Sequence, residues 1–547
     1  MDRILFIVPP NIRYDDFVAP PKNVKVISKK SGDFGVIITD IPLGVLSLSA
    51  YVKKHTCAET RLVDFNIVLN KQETFTFHSF EDFFRHYLSE PRWTEYAPTI
   101  IGISALFTPS YQNMLDIARC CREIFPHAVI IAGGGVPTNM YNEIFSSDSS
   151  FDALCYGEGE KPLADLVKAD DKLGCMENNL SWITRRKIER RESFQHDFIE
   201  NLDEIPFCDF DIIQTNEYKL NPTISAYPSI NSLKQNFPAM TSRGCPHRCC
   251  FCASHTVHGR KMRYSSIPRV REDLTSLKNH YGAQLIIFQD DHFMADKQRA
   301  VEIIDIINEL QMTAFFPNSL ALYMLDRKML EVLKSAGVNQ LVLSVESGSE
   351  RVLKEVMHKP LNLSIIKRVA NDCRDLGIYT DVNILIGIPG ETKTDIEDAM
   401  KFLKTINANW FRINVATPLV GSEMLETCIK KNYLKGNYID SGFKKAVVET
   451  EDFTAEYMQE MAYTMNLELN FVNNSDFRLG CYEMALKGFE NAIRAKNDHA
   501  IAYYFAAKCY EKRGHPEKAR QYMDKACTIV EGSNFWSNYV NMFGLVL

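Results

Sequence analysis

Four cysteines crowd into one short stretch of the chain, at Cys245, Cys249, Cys250 and Cys252. Three of them follow the spacing C-x3-C-x2-C, so their thiolates can converge from one tight loop on a single metal centre. Three thiolates can hold three irons of a [4Fe–4S] cluster and leave the fourth iron open to another ligand. A structural zinc takes four protein ligands, usually from two separate cysteine pairs, and the sequence has no second C-x2-C pair. Iron–sulfur is therefore favoured, with zinc and a chance clustering of cysteines as the alternatives.

The composition is that of an ordinary globular protein. The chain has 547 residues, 46% hydrophobic and 24% charged, and its length suits about three to five domains. A net charge of −7 argues against nucleic acid as the main partner, because phosphate binding needs a basic surface. The apolar runs fall far short of the ~20 residues of a membrane-spanning helix, and no signal peptide is visible. We therefore expect a cytoplasmic protein without membrane insertion, whose 15 cysteines stay mostly reduced.

Strand-like and helix-like segments alternate after the cysteine stretch. Because strands that alternate with helices form parallel sheets, this pattern predicts an α/β domain whose ligands meet the carboxyl ends of the strands. Polar or glycine-rich motifs stand at those ends, namely Gln289-Asp290-Asp291, Ser344-Val345-Glu346 and Gly387-Ile388-Pro389-Gly390. The predicted strands are 239–241, 285–290, 313–317, 340–345, 379–388 and 410–417, and predicted helices include 268–281, 297–310, 363–376 and 392–406.

The cysteine motif has an aromatic residue, Phe251, just before its last cysteine, and it resembles the signature of the radical S-adenosylmethionine (SAM) superfamily. The order and spacing of the motifs over 239–425 fit the same family. The resemblance implies a half-open (β/α)6 barrel in which Cys245, Cys249 and Cys252 ligate the cluster, whereas Cys250 does not. It also implies that SAM chelates the open iron through its amino and carboxylate groups. One-electron reduction would then cleave SAM to a 5′-deoxyadenosyl radical.

The same resemblance assigns SAM contacts to the cysteine loop and to the ends of three later strands. The aromatic residue would pack near the adenine, and the acids after the second strand would meet the SAM amino group, unless they only cap a helix. The serine and glutamate after the fourth strand would add polar contacts, and the glycines after the fifth would border the adenine. The expected SAM-binding residues are Phe251, Gln289, Asp290, Asp291, Ser344, Glu346, Gly387 and Gly390.

Residues 1–170 show a second alternation of strands and helices. Five strands joined by crossover helices predict a doubly wound, Rossmann-like sheet. No G-x-G-x-x-G fingerprint follows the first strand, where Pro9-Pro10-Asn11 stands instead. Gly133–Gly135 end the fourth strand and leave room for a flat group close to the backbone. The predicted strands are 3–8, 61–65, 99–105, 128–132 and 153–156, and the predicted helices are about 42–54, 110–124, 137–146 and 160–168.

These loops resemble the cobalamin-binding domain that precedes the radical barrel in one large radical SAM subclass. Many cobalamin proteins carry D-x-H-x-x-G, whose histidine ligates cobalt, but His55, His78, His86 and His127 all lack an aspartate two positions earlier. We therefore expect base-off cobalamin without a histidine ligand; a degenerate Rossmann domain without a cofactor is the alternative. The expected cobalamin-binding residues are Pro9, Pro10, Leu43, Gly44, Ser104, Ala105, Gly133, Gly134, Gly135, Thr138, Gly157 and Glu158.

The chain becomes helical after about residue 445 and matches itself at an offset of 34 residues, with Gly480 aligned to Gly514. This pattern resembles tetratricopeptide repeats, and both a peptide-binding groove and a plain helical cap remain open. Within a linker between the two α/β regions, 184–192 is predicted to be a solvated hairpin or surface helix. The predicted domains are 1–170 (Rossmann-like, cobalamin-binding), 171–235 (linker), 236–440 (radical SAM partial barrel) and 441–547 (tetratricopeptide-like helices).

Together these resemblances imply a cobalamin-dependent radical SAM methyltransferase. The deoxyadenosyl radical would take hydrogen from an unactivated carbon, and methylcobalamin would donate its methyl group to the carbon radical. This chemistry requires the carboxyl edges of the two sheets to face each other. The alternatives are a cyclase or rearrangement enzyme with the same cofactors, and a non-catalytic iron–sulfur scaffold or sensor.

The expected cofactors are a [4Fe–4S] cluster, SAM and cobalamin, while no catalytic residue is assigned. The expected partners are an organic substrate and a one-electron reductant of the flavodoxin or ferredoxin type. The repeats slightly favour a peptide or protein substrate, and a lipid, a tetrapyrrole or a small metabolite remain open.

Overall fold

The computed structural model describes residues 1–20, 26–219, 235–436, 438–440 and 445–547. In these residues the strands are β1 (Arg3–Val8), β2 (Val26–Lys29), β3 (Gly32–Gly35), β4 (Glu59–Asp64), β5 (Ile100–Ser104), β6 (Val129–Gly133), β7 (Ala153–Cys155), β8 (Trp182–Ile183), β9 (Asn236–Ala239), β10 (Ser242–Arg243), β11 (Arg263–Tyr264), β12 (Leu285–Phe288), β13 (Thr313–Phe315), β14 (Gln340–Glu346), β15 (Tyr379–Ile386) and β16 (Trp410–Val415). The α-helices are Tyr14–Val18, Leu43–His55, Phe65–Lys71, Phe80–Leu88, Pro91–Thr94, Tyr111–Ile124, Gly135–Asn139, Tyr141–Ser147, Glu160–Lys168, Lys172–Asn178, Arg185–Glu189, His255–His258, Ile267–Tyr281, Lys297–Glu309, Arg327–Ser335, Leu363–Asp375, Lys393–Leu403, Glu423–Lys430, Ala455–Leu467, Ser475–Arg478, Tyr482–Ala495, Ala500–Lys512, Pro516–Glu531 and Asn534–Met542.

A six-stranded sheet with the order β4-β1-β5-β6-β7-β8 forms the centre of the N-terminal region. Its strands are parallel except β8, which pairs antiparallel with β7 at one edge. Successive side chains of a strand point to opposite faces. Leu5 and Ile7 accordingly join one apolar cluster, whereas Ile4 and Phe6 join another. The sheet is therefore covered on both sides, as the doubly wound prediction requires, and β8 is a sixth strand that the prediction omitted.

The predicted linker 171–235 is folded onto this sheet in part. It supplies β8, and the helix Arg185–Glu189 begins after Thr184, whose hydroxyl accepts a hydrogen bond from the backbone N–H of Lys187. The prediction that 184–192 is solvated is wrong at Lys187, which is 1% exposed. Its ammonium donates to three backbone carbonyls, those of Met176, Asn179 and Trp182, at 2.9, 2.7 and 3.1 Å. Residues 220–234 of the predicted linker lie outside the described residues.

The second α/β region consists of six parallel strands in two three-stranded sheets, ordered β13-β12-β9 and β14-β15-β16. A single apolar cluster joins the two sheets through residues such as Phe237, Ile286 and Val382. The first strand ends at Ala239, earlier than predicted, and the chain then forms the short antiparallel pair β10–β11. Thr392 caps the helix Lys393–Leu403 in a reciprocal capping box with Asp395. These elements form the partial barrel expected from the sequence.

The C-terminal helices form two consecutive pairs that follow the 34-residue self-match. Gly480 and Gly514, which the match aligns, have φ values of 78° and 76°, in the left-handed region that favours glycine. Ala485 and Ala526 are buried between the helices, so the small side chains allow close packing. Among the described residues, no helix is both long and apolar enough to cross a membrane. Residues 441–444, where the predicted helical domain begins, lie outside the described residues.

The C-terminal region is anchored to the barrel at the start of β16. The side-chain amide of Asn470 donates to the carbonyl of Phe411 and accepts from its N–H, both at 2.8 Å. The carboxylate of Asp476 accepts hydrogen bonds from Arg374 at 2.7 Å and from Asn409 at 3.1 Å. Because Asn409 directly precedes β16, the repeats lie against the amino end of this strand. They are therefore remote from the carboxyl ends, where a barrel of this kind binds its ligands.

Candidate functional site

The cysteine loop runs from Gly244 to 262 and is closed at its base by β10 and β11, where Arg243 is paired with Arg263. Gly244 has a φ of 94°, and a Cβ there would lie 2.4 Å from the carbonyl oxygen of Lys261. Only glycine fits this position, because both the backbone angle and the close approach exclude a side chain. The hairpin and the glycine therefore fix where the loop begins and ends.

The cysteines of the loop fall into two environments. Burial, together with the nearby thiols of Cys252 and Cys249, raises the pKa of the Cys245 thiol to about 11. Metal binding would reverse this shift, since thiolates are the ligating form. Cys250, in contrast, belongs to the barrel core; its N–H donates to Met357 and its carbonyl accepts from Met424. Cys245, Cys249 and Cys252 are thus close enough to act on one another's thiols, whereas the backbone of Cys250 is bonded into the barrel core. Within the part of the chain that the structure describes, no three His, Cys, Asp or Glu side chains are already arranged to hold a metal ion, so the ligand set stays a prediction.

A cavity of about 270 Å³ opens beside the cysteine loop. Its wall combines thiols with cationic and anionic side chains, so it suits a charged inorganic group better than an apolar ligand. The lining residues are Arg248, Cys249, Cys252, His255, Arg260, Gly421, Glu423 and Glu426.

The two acids after β12 have different surroundings. The Asp290 carboxylate is buried and accepts hydrogen bonds from the N–H and hydroxyl of Thr241 and from the hydroxyl of Ser242, at 2.6 to 3.1 Å. Asp290 therefore fixes the backbone of Thr241 and the side chains of Thr241 and Ser242, which lie shortly before the cysteine loop. This structural role was not predicted, since Asp290 was expected to contact SAM. Asp291 lies close enough to Cys245 to raise its pKa, and its Oδ2 is buried with no hydrogen-bond partner among the described residues. Asp291 is thus the acid that fits an ammonium group, while the carbonyl of Gln289 accepts from Asn318 at 3.1 Å.

The end of β14 carries the second predicted group. The strand pairing shifts between Ser344 and Glu346, and Glu346 adopts a φ of 67°. Non-glycine residues held in this region store backbone strain, which is concentrated at functional sites. The Glu346 carboxylate lies 3.4 Å from the ammonium of Lys359, and both charges act on the Cys249 thiol. Glu346 is therefore beside the cysteine loop, together with Lys359, which the prediction did not include.

The glycines after β15 form a tight turn around a buried acid. Gly387 and Gly390 have φ values of 87° and 96°. The N–H of Gly387 donates to Glu391 Oε2 at 2.6 Å, and Oε1 has no hydrogen-bond partner in the described part of the chain. Burial raises the pKa of Glu391 to about 7. Glu391 thus stabilises the loop predicted to border the adenine.

Three further polar side chains converge near the cysteines. His247 Nε2 lies 3.3 Å from His292 Nε2 and 2.9 Å from the hydroxyl of Tyr323, and His292 Nε2 lies 3.1 Å from that hydroxyl. Burial lowers the pKa of His292 to about 4. None of these residues was predicted as a site residue. His247 lies between two of the predicted cysteine ligands and His292 directly follows the Gln289-Asp290-Asp291 motif, but nothing in the sequence marks Tyr323, which follows β13.

The carboxyl edge of the N-terminal sheet carries most of the predicted cobalamin residues. Gly134 has a φ of 106°, and a Cβ there would lie 2.6 Å from the carbonyl oxygen of Ala105. A Cβ on Gly135 would lie 2.8 Å from the carbonyl oxygen of Leu106. The hydroxyl of Thr138 accepts from the N–H of Gly157 at 3.1 Å. Ser104 ends β5 beside Gly133, with which it is paired, so the structure gathers these loops at one edge.

Two large apolar side chains stand exposed at this edge. Leu106 and Phe107 are 59% and 52% exposed, directly after Ala105. The prediction stopped at Ala105 and missed them, although two apolar residues after a strand are a visible signal. Together with the glycine loop, they form an open, partly apolar surface that fits a flat macrocycle.

The remaining predicted cobalamin residues shape the loops at this edge of the sheet or begin the helix that follows. Pro9 and Pro10 are buried, and their carbonyls accept from the side chains of Asn66 and Asn113 at 3.1 and 2.9 Å. These prolines therefore shape the loop after β1. Leu43 and Gly44 begin the helix Leu43–His55, and Gly44 has open space where a Cβ would be.

Glu158 has a different environment from the one predicted. Its carboxylate is buried and accepts hydrogen bonds from Arg263 at 2.6 and 2.9 Å, and it lies 3.0 Å from Arg243 and 2.8 Å from His258 Nδ1. Although burial alone would raise the pKa of Glu158, these partners hold it far below its usual range. The carboxylate is thus fully engaged with residues of the second α/β region.

The two α/β regions meet at their carboxyl edges. The helix Gly135–Asn139, which follows β6, packs on the cysteine loop, where Asn139 donates to the hydroxyl of Thr256 at 2.9 Å. Asn139 also contacts the turn after β16, because a Cβ on Gly421 would lie 2.3 Å from its side chain. The glycine loop and the cysteine loop are therefore neighbours, which is the arrangement that transfer between two cofactors requires.

Comparison with known proteins gives the same two domains. The model of the B12 binding domain matches residues 41–167, and that of the radical SAM superfamily matches 240–403, together slightly more than half of the chain. An uncharacterised methyltransferase of Pyrococcus horikoshii is 26% identical over 424 residues, which cover 77% of this chain and 86% of the relative. Cytidylyl-2-hydroxyethylphosphonate methyltransferase of Streptomyces wedmorensis is 26% identical over 407 residues, with 69% and 76% covered.

The fold also resembles a solved structure of the radical SAM methyltransferase TsrM from Kitasatospora setae with cobalamin and a [4Fe–4S] cluster bound. The TM-score is 0.58 at 14% sequence identity, and the likeness covers 96% of this chain and all of the other. At 14% sequence identity, this likeness shows a shared fold and nothing more. The family matches thus show that the chain carries a B12-binding domain ahead of a radical SAM domain.

Proposed function

We propose that this protein is a cobalamin-dependent radical SAM methyltransferase that methylates an unactivated carbon. The contact between the cysteine loop and the glycine loop, through Asn139 and Thr256, carries this proposal. When bound, cobalamin would pass a methyl group from one SAM to a substrate radical made with the 5′-deoxyadenosyl radical of a second SAM. The relatives with methyltransferase names support this choice over cyclisation or rearrangement.

We propose that the chain orients both cofactors and keeps the reacting groups together. Cys245, Cys249 and Cys252 would hold the cluster. Asp291 Oδ2, which has no hydrogen-bond partner within the described ranges, would accept a hydrogen bond from the SAM amino group. The other predicted SAM contacts keep their roles: Ser344 and Glu346 as polar contacts, and Phe251, Gly387 and Gly390 around the adenine. Asp290 and Gln289 would act by supporting these contacts.

The cobalamin contacts would come from the glycine loop and from the two apolar residues beside it. Gly134 and Gly135 leave no room for side chains, so their backbone can lie against the macrocycle. Leu106 and Phe107 would cover part of its apolar surface, which would bury the side chains that are now exposed. We propose base-off cobalamin without a histidine ligand.

Gly134→Ala should abolish cobalamin binding while the chain stays folded. The new methyl group would collide with the Ala105 carbonyl at 2.6 Å, in a backbone conformation that alanine disfavours, and the glycine loop would shift. Gly532→Ala is the control, since Gly532 lies in the C-terminal helical region and its Cβ would have an ordinary contact of 3.5 Å with the Thr528 carbonyl oxygen. Cobalamin retained per chain after gel filtration measures the difference. Equal retention by both variants would contradict this role of the loop.

The identity of the partners is a further part of the proposal. A flavodoxin or ferredoxin type of reductant would supply the electron for SAM cleavage, and the protein would work in the cytoplasm. A peptide or protein substrate remains a prediction from the repeats, although they lie at the amino end of β16, away from the cysteine loop. The boundaries 1–170, 171–235, 236–440 and 441–547 likewise stay predictions.

The test uses SAM labelled at its methyl group with the anaerobic, cluster-loaded and cobalamin-loaded protein. Methylation predicts S-adenosylhomocysteine and 5′-deoxyadenosine, and a product that is heavier by one labelled CH2. Deoxyadenosine with a product that gains no CH2 would favour cyclisation or rearrangement. Deoxyadenosine at background level with a complete cluster would favour a scaffold or sensor and contradict the proposal.

A further inference from the structure

A buried network of ion pairs joins the two α/β regions next to both predicted cofactor loops. Glu158 lies in the loop after β7, and Glu160, two positions later, begins the helix Glu160–Lys168. Arg243 bridges both acids, at 3.0 Å from Glu158 and 2.6 Å from Glu160, and Arg263 binds Glu158 at 2.6 Å. The side chains of these four residues are 10% exposed or less.

The network lies where the geometry of both loops is set. Arg243 and Arg263 are paired residues of β10 and β11, so they sit at the two ends of the cysteine loop. Glu158 directly follows Gly157, whose N–H donates to Thr138 of the glycine-loop region. One carboxylate thus connects both ends of the cysteine loop to the carboxyl edge of the N-terminal sheet.

Neighbouring side chains limit how far this contact can move. The guanidinium of Arg263 stacks at 4.1 Å on the ring of Phe198, which stacks in turn on His196. A Cβ on Gly157 would lie 2.3 Å from His196, and a Cβ on Gly259 would lie 2.9 Å from Phe198. The rings and glycines therefore pack around the ion pairs on both sides of the interface.

Such a network is a poor source of stability, because taking charges out of water offsets much of their attraction. Apolar side chains of similar size would hold two domains together equally well. What a buried ion network adds is a unique arrangement, since every other alignment leaves a charge buried without a partner. The position of the network points to alignment of the two cofactor loops as its purpose.

We propose that Glu158, with Arg243 and Arg263, is a positioning residue that holds the cysteine loop at a fixed distance from the cobalamin loop. This inference rests on the proposed function for its purpose, and it reassigns Glu158 from binding cobalamin to aligning the domains. Methyl transfer to a short-lived carbon radical needs the two cofactors at a fixed distance and orientation. Reacting groups must be held within a few tenths of an ångström of their productive positions.

The test measures the alignment directly, on protein loaded with cob(II)alamin and a reduced [4Fe–4S]⁺ cluster. The magnetic coupling between the two spins in pulsed electron paramagnetic resonance depends on the distance between them. Wild-type protein should give one well-defined coupling. Glu158→Gln should lose it and give a broad distribution, with cobalamin and iron per chain unchanged, and Glu158→Asp should restore part of it. Asp197→Asn is the matched control, because it breaks the more exposed pair with Lys161 in a neighbouring segment.

Two outcomes would overturn the inference. If Glu158→Gln keeps the wild-type coupling, the network does not set the distance. If it loses cobalamin while the control retains it, Glu158 binds the cofactor after all. Should Glu158→Gln fail to fold, the double variant Glu158→Leu/Arg263→Met replaces a buried pair by apolar groups, a change that folded proteins tolerate; it should fold and still show a broad distribution. Failure of the wild-type protein to retain cobalamin would instead contradict the proposed function.

Discussion

Replacing Cys249 with alanine should abolish cluster assembly and 5′-deoxyadenosine formation while cobalamin binding persists. Two remaining thiolates cannot hold three irons of a [4Fe–4S] cluster, and no other cysteine of the loop is placed to substitute. Cobalamin should stay because the glycine loop is built on β5, β6 and β7 of a separate sheet with its own apolar clusters. Iron and cobalamin per chain, together with deoxyadenosine after reduction, measure the result.

Cys250→Ala provides the matched control one position away. Its side chain lies in the barrel core and its backbone is bonded to Met357 and Met424, so it should keep the cluster and lose only some stability. Deoxyadenosine production by the Cys249 variant, or a variant at Cys250 that lacks the cluster, would contradict the ligand assignment.

Deleting residues 450–547 should prevent folding of the barrel rather than only alter substrate choice. The helix Ala455–Leu467 and the turn after it place Met458, Met465 and Leu469 in the same apolar cluster as the barrel strands. The deletion would also remove the side chain of Asn470, which satisfies both backbone groups of Phe411. Leaving buried backbone groups unpaired costs about 1–3 kcal/mol each, in addition to the exposed core.

The amount of soluble protein and its circular dichroism measure this effect. A shorter deletion, of 533–547, is the control, because it leaves the contacts of Asn470 and Asp476 with the barrel intact. This shorter chain should fold with lower stability, since it loses the buried Trp536, and should still cleave SAM. A soluble 1–449 fragment with full SAM cleavage would show that the helices serve the substrate instead.

The features that could be predicted from the sequence are those with local signals. The cysteine spacing lies within one loop, and the strands of both sheets are apolar runs bounded by turns. The glycine loop is also a local signal, since three consecutive glycines after a strand mark a close backbone approach. These signals were sufficient for the domain types, while the roles of Cys245, Cys249 and Cys252 as cluster ligands stay predictions.

The features that were missed depend on side-chain partners that only the folded chain brings into place. Glu158 was expected to bind cobalamin from the family resemblance, but its carboxylate binds Arg263, 105 positions later. Lys187 lies in a run of charged residues that looks solvated, yet its ammonium is enclosed by three backbone carbonyls that come 5 to 11 positions earlier in the chain. Tyr323 contacts His247 and His292 only because the fold of the barrel brings the segment after β13 beside the cysteine loop. Pairings of this kind have no local pattern that a single sequence could reveal.

The most direct test of the account is to measure cobalamin on anaerobically purified, cluster-reconstituted protein offered hydroxocobalamin. The account predicts nearly one cobalamin per chain, with a Co(II) electron paramagnetic resonance spectrum that lacks splitting by a nitrogen ligand. Such a result would show that one chain holds base-off cobalamin as well as the cluster proposed to be bound by Cys245, Cys249 and Cys252. A spectrum split by nitrogen would contradict the expected absence of a histidine ligand. A protein that retains no cobalamin would contradict the central claim, and the chain would then act with SAM alone.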